Sequence, residues 1–141
     1  MGSNRILGLD YGTKTVGVAI SDPLLLTAQE LETITRDRAS ALRHTLVRIK
    51  EIVDQYQVER IVLGYPRNMD DSEGFRCQDT LHFKELLEKR LDMEIILVDE
   101  RLTTMYADEI LEESGVEKKN RKKYIDQIAA AIILQYYLNT L

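Results

Sequence analysis

Cysteine occurs once in this sequence, as Cys77, and histidine twice, as His44 and His82. A single thiol forms no intrachain disulfide and supplies no cysteine-rich zinc site. A reducing, cytoplasmic compartment is the simplest setting for such a chain. The two histidines fall on expected helices without metal-ligand spacing, so both read as structural or exposed. Proline is nearly as scarce: Pro23 follows an apolar run and Pro66 ends one. Long apolar runs are missing as well. None approaches the roughly 20 residues of a membrane span, and no secretory pattern is read at the start, so neither a membrane nor a leader is expected. An excess of positive charge is also lacking, because the net charge is -5. Affinity for nucleic acid would have to come from a local basic patch.

What is present suits one folded domain, residues 1–141, with 44% hydrophobic and 30% charged residues. The N-terminal stretch reads as a hairpin. Residues 6–11 and 16–20 are rich in leucine and β-branched side chains, and Gly12-Thr13-Lys14-Thr15 between them carries turn chemistry. Glu32-Thr33-Ile34-Thr35 suits a third antiparallel strand. From about Ala39 to Tyr56 the period changes: Leu42, Leu46, Ile49, Val53 and Tyr56 lie on one helical face. Two near-continuous apolar runs, residues 60–65 and 94–100, read as strands covered on both faces. Helices are expected at roughly 76–91, from Thr103 or Thr104 to Ser114, and at 122–138. The order βββαβαβαα then gives an α/β fold with a mixed five-stranded sheet and helices on both faces.

Three acids interrupt apolar patterns. Asp10 ends the first strand, Glu100 ends the last, and Asp126 shares a helical face with Ala130, Ile133 and Tyr137. A carboxylate in such a place needs a cation, a donor network or an open cleft. Parallel first, fourth and fifth strands would bring Asp10 and Glu100 to one sheet edge, and the last helix could carry Asp126 over it. Mg²⁺ prefers hard oxygen ligands, and convergent carboxylates are its usual site; two such ions roughly 3.5–4 Å apart can activate a water against a phosphodiester. Each acid also has a plainer reading. Asp10 could cap a turn, Glu100 could pair with Arg101, and Asp126 could be a first-turn helix acid. Lys118, Lys119, Arg121, Lys122 and Lys123 form a basic run at a helix start, where cations oppose the helix dipole. The run reads either as a solvated loop or as a phosphate-binding surface. Lys14, Arg67, Arg76 and Arg101 lie in loops expected at the same end and would extend it.

Several motifs resemble the YqgF family of Holliday-junction-resolvase-like and pre-16S rRNA nucleases. They are Gly8-Leu9-Asp10-Tyr11-Gly12-Thr13-Lys14 with Val16-Gly17-Val18-Ala19, then Gly64-Tyr65-Pro66-Arg67-Asn68-Met69-Asp70. Asp99-Glu100-Arg101-Leu102-Thr103-Thr104 follows, and last Asp126 with Ala129-Ala130 and Ile133-Leu134. The resemblance implies an RNase-H-like fold and Asp10, Glu100 and Asp126 as catalytic and metal-binding acids. It also implies Mg²⁺ or Mn²⁺ as cofactor and precursor rRNA or structured DNA as partner. Cutting a junction symmetrically needs two active sites, which a homodimer could supply, and the sequence does not reveal the oligomeric state. Asp71 departs from the family's usual glycine there. Residues 10–15 are also similar to the phosphate loop of the actin and sugar-kinase superfamily, but those proteins close two such domains over a nucleotide. A non-catalytic nucleic-acid-binding module of the same fold is the other alternative.

Overall fold

The computed structural model describes residues 5–38, 40–66 and 74–141, with the backbone alone for 121–127. Strands β1 (Ile6–Tyr11), β2 (Thr15–Ser21) and β3 (Ala28–Thr35) form an antiparallel meander. Helix α1 (Arg43–Tyr56) crosses to β4 (Arg60–Tyr65), and α2 (Phe75–Leu91) crosses to β5 (Ile95–Asp99). Both later strands run parallel to β1, giving the sheet order β3-β2-β1-β4-β5. Two helices follow, α3 (Glu100–Glu113) and α4 (Lys118–Leu138). The expected element order and mixed sheet are those observed. Among the described residues, no helix is long and apolar enough to cross a membrane.

Strand periodicity assigns each side chain to a face. Leu7, Leu9, Ile61 and Leu63 pack with Leu46, Ile49 and Ile52 of α1 and Phe83 and Leu87 of α2. Ile6, Val62 and Val98 face the other way, against Ala130, Ile133, Leu134 and Leu138 of α4. Burying one such side chain contributes about 1.5–3 kcal/mol, against about 1 kcal/mol net for a hydrogen bond, so the two apolar layers hold the strands' orientation. Gly8 decides how closely α4 sits. A Cβ there would stand 2.7 Å from Leu134 Cβ and 3.0 Å from the Ala130 carbonyl oxygen, so only glycine admits the helix this near to β1.

Four boundaries differ from the sequence expectation. Strand β3 begins at Ala28 and carries a bulge opposite Val18 and Ala19, which a pairing rule of strict alternation does not anticipate. Helix α1 begins only at Arg43, with no side-chain cap at Leu42. Helix α3 starts at Glu100 rather than at Thr103 or Thr104: Asp99 caps it by accepting from the Arg101 amide at 2.9 Å. The two threonine hydroxyls instead donate back to the Glu100 carbonyl. Helix α4 starts at Lys118 and breaks its helical geometry at Ile128 (φ -119°, ψ 19°), so the basic run opens a helix kinked ten residues in.

Candidate active site

Alternation along the three parallel strands builds the site. On the α4 face, β1 presents Ile6, Gly8 and then Asp10, and β4 presents Val62 and then Gly64. Strand β5 ends at Asp99, so Glu100 stands on the first turn of α3, held there by the Asp99 cap and by Thr103 and Thr104 on its carbonyl. The Glu100 side chain lies over Gly64. A Cβ on Gly64 would come within 2.6 Å of Glu100 Oε1 and of Ile133 Cδ1. The glycine leaves the space that the carboxyl group occupies.

There Glu100 meets Asp10 and is hydrogen-bonded to it. Burial, then the Asp10 charge and that hydrogen bond, push the Glu100 carboxyl up to about 7, with Asp99 adding and Arg76 opposing. Two carboxyl groups this close share one proton near neutrality, or hold a cation in its place. Asp10, Glu100, Arg76, Thr103, Thr104 and Ala129 line one open cleft. A second groove runs from Asp10 across Thr15, Gly17 and Glu30 to Thr33, again with Ala129 on its wall. Asp10 therefore stands where two grooves meet beneath the kinked part of α4.

The remaining expected residues separate into groups. The Asp126 side chain lies outside the described residues, as do the side chains of Arg121, Lys122 and Lys123, and Arg67 altogether. Among the described residues no group of three acids, histidines or cysteines gathers, so the described site is the Asp10–Glu100 pair. Arg76 is exposed on the cleft. Lys14 is exposed on the β1–β2 turn. Lys118 is exposed as well, and Lys119 forms a surface pair with Glu117 at 3.3 Å. Arg101 is engaged by Asp99, with Nη2 to Oδ2 at 2.6 Å and Nε to both carboxylate oxygens at 3.1 Å, so it braces the α3 cap. His44 and His82 are exposed, and the buried Cys77 thiol donates to the Pro66 carbonyl.

Sequence reasoning did not single out Gly64, Thr103 or Thr104 as parts of the site, or Arg36 beside it. Gly64 lies inside a quoted motif, and a glycine within a buried strand is the signal of close approach. The role of Thr103 and Thr104 shows only once the helix start is known.

Comparison with known proteins follows the same outline. The RuvX family, described as "Holliday junction resolvase", matches residues 4–140. A protein of Agathobacter rectalis is 55% identical over 137 residues, covering 97% of this chain and 96% of the relative. One from Lachnospira eligens is 54% identical over 136 residues, covering 96% and 97%. Both are named "Putative pre-16S rRNA nuclease". Among solved structures, Thermus thermophilus RuvC in complex with a Holliday junction substrate superposes with a TM-score of 0.56 at 13% identity, over 96% of this chain and 95% of that one. The fowlpox virus Holliday junction resolvase gives 0.54 at 17% identity, over 97% and 99%. At such identities these two establish the shared fold.

Proposed function

The chain belongs to the RuvX (YqgF) family, and from that membership we propose a phosphodiester-cleaving nuclease that processes the 5′ end of pre-16S rRNA, with Asp10, Glu100 and Asp126 as its catalytic acids. The observation that carries the reading is the Asp10–Glu100 pair, two carboxyl groups in contact at the meeting of two open grooves. Ala129 and Ala130, a turn beyond Asp126, wall the groove at Asp10, which supports Asp126 as the third acid.

The donor set fits Mg²⁺ or Mn²⁺: it offers hard carboxylate oxygens, and the raised affinity of Glu100 for a proton marks a place short of positive charge. Asp10, Glu100 and Asp126 would hold the cation, which when bound polarises the phosphate and lowers the pKa of a water. The chain's own part is positioning. Carboxylate oxygens of Asp10 and Glu100 orient the attacking water and accept one of its protons as the water oxygen bonds to phosphorus and the bridging P–O bond breaks, and the departing ribose oxygen takes a proton from solvent in the open cleft to leave as a hydroxyl. Arg76 and Lys14 supply positive charge for the phosphate groups. Thr103 and Thr104 direct their hydroxyls at the Glu100 carbonyl rather than at a base, so hydrolysis by water suits the cleft better than a covalent intermediate.

The test is a cleavage assay of purified protein on a precursor 16S rRNA fragment and on a four-way DNA junction, with Mg²⁺, with Mn²⁺ and with chelator. Cleavage of the rRNA fragment that is lost with chelator and in Asp10→Asn is the expected result. Symmetric cutting of the junction alone would transfer the activity to DNA. Wild-type rates in Asp10→Asn would overturn the site.

A further inference from the structure

The carboxyl end of β1 is supported on one side only. Its parallel ladder to β4 stops at Leu9–Leu63, whereas the antiparallel ladder to β2 continues through Asp10–Gly17 and Tyr11–Val16. Asp10 therefore takes its position from the hairpin. Within the turn, the Gly12 amide donates to the Thr15 carbonyl at 2.7 Å, and Thr13, Lys14 and Thr15 are exposed.

Arg36 supports this turn from behind. It follows the last residue of β3 and is only 8% exposed. Its amide donates to the Lys14 carbonyl at 2.9 Å, and Nη2 donates to the carbonyls of Gly12 and Thr13, both at 2.6 Å. The guanidinium carbon lies 4.9 Å from the centroid of the Tyr11 ring, which also stacks on Phe83 of α2 at 4.2 Å and 13°. The side chain thus ties two consecutive turn residues, Gly12 and Thr13, and the ring next to Asp10 to the α2 side of the sheet, and the backbone amide of the same residue holds the third, Lys14. Asp10 itself points to the α4 side. We propose that Arg36 is a positioning residue for the nuclease reaction: it clamps the β1–β2 turn and the Tyr11 ring and so fixes the Asp10 carboxylate against Glu100. The assignment rests on the nuclease reading above. Lysine cannot replace it, since a single ammonium is a point donor without a plane to lie on the ring.

The experiment compares full-length wild type with Arg36→Lys in three measurements: steady-state cleavage of the precursor rRNA fragment, thermal melting and amide hydrogen exchange. Displacing a catalytic group by about 1 Å costs on the order of 100-fold, so kcat should fall about 10- to 100-fold while KM changes little. The amides of residues 12–15 should exchange faster, with those of β4 and β5 unchanged. Wild-type kcat, unaltered exchange in the turn, or a rate loss that only tracks the unfolded fraction would overturn the proposal. If Arg36→Lys does not fold, Phe83→Leu removes the ring stacked on Tyr11 while leaving Arg36 in place. Its kcat should fall with KM preserved, and an unchanged kcat overturns the clamp. Wild-type protein that cleaves no substrate would refute the nuclease reading itself, and the exchange data would still judge the clamp.

Discussion

Glu100 titrates near neutrality because it is buried against a second carboxylate, and this has a consequence for stability. An ordinary glutamate in the unfolded chain titrates near 4.3. The folded form therefore binds the extra proton between there and about 7. Its contribution is complete below that window and is lost as the pH rises through it. With chelator present, the melting temperature should fall between pH 5 and 8 more steeply in wild type than in Glu100→Gln, by up to about 3 kcal/mol of stability. Equal slopes in the two proteins would dissociate the residue from the effect. Gly64 yields a complementary prediction. An alanine there collides with side-chain atoms and not with backbone, Glu100 Oε1 and Ile133 Cδ1 at 2.6 Å and Glu100 Cγ at 3.1 Å, so the Glu100 carboxyl has to shift. Gly64→Ala should cost only about 1 kcal/mol in stability yet lose most cleavage, because the carboxyl it displaces is the one that meets Asp10. Full activity with a normal melting curve would show that Glu100 does not need the space above the glycine.

Helix α4 differs in character at its two ends. From Ala130 to Leu138 it is a core element, seated on β1 over Gly8. Gly8→Ala would meet Leu134 Cβ and a backbone oxygen, neither of which is a flexible tip, so a loss of about 1–3 kcal/mol is expected in chemical denaturation. Before the break at Ile128 the same helix begins with Lys118 and Lys119, whose charges oppose the dipole at a helix start. Replacing Lys119, Arg121 and Lys122 together by alanine tests whether that end meets phosphate. The slope of log affinity against log salt changes by about 0.7–0.9 for each phosphate neutralised, so a triple variant that frees three phosphates should show a slope shallower by roughly 2–3 units. Binding isotherms at several salt concentrations measure it. An identical slope would assign the run to solvent.

The whole molecule places two apolar layers on one sheet, and neither layer is complete without it. Alternate residues of β1 and β4 serve both layers, so loss of one exposes the underside of the other. Calorimetry should therefore record a single transition with equal calorimetric and van't Hoff enthalpies. Two resolved transitions would divide the chain into separate domains.

The element order and sheet type follow from the sequence because periodicity is local: a change from two to 3.6 residues marks each strand and helix wherever it ends up in space. The same periodicity puts Asp10 on the α4 side of the sheet, whereas Glu100, expected at the end of the last strand, reaches that side from the first turn of α3; the motif spacing links both to a family. Boundaries were less legible. The α3 start depends on Asp99 bending back to the Arg101 amide, and Arg101, as open to phosphate by sequence as Arg76, is taken up by that same carboxylate. The contact between Asp10 and Glu100, the space above Gly64 and the reach of Arg36 across 24 residues to the Gly12 carbonyl belong to tertiary structure alone. Each is a distance between residues far apart in the chain, and such distances are set by how closely α4 can approach β1 and where the β1–β4 ladder stops. Pattern determines which way a side chain faces; packing determines what it meets there.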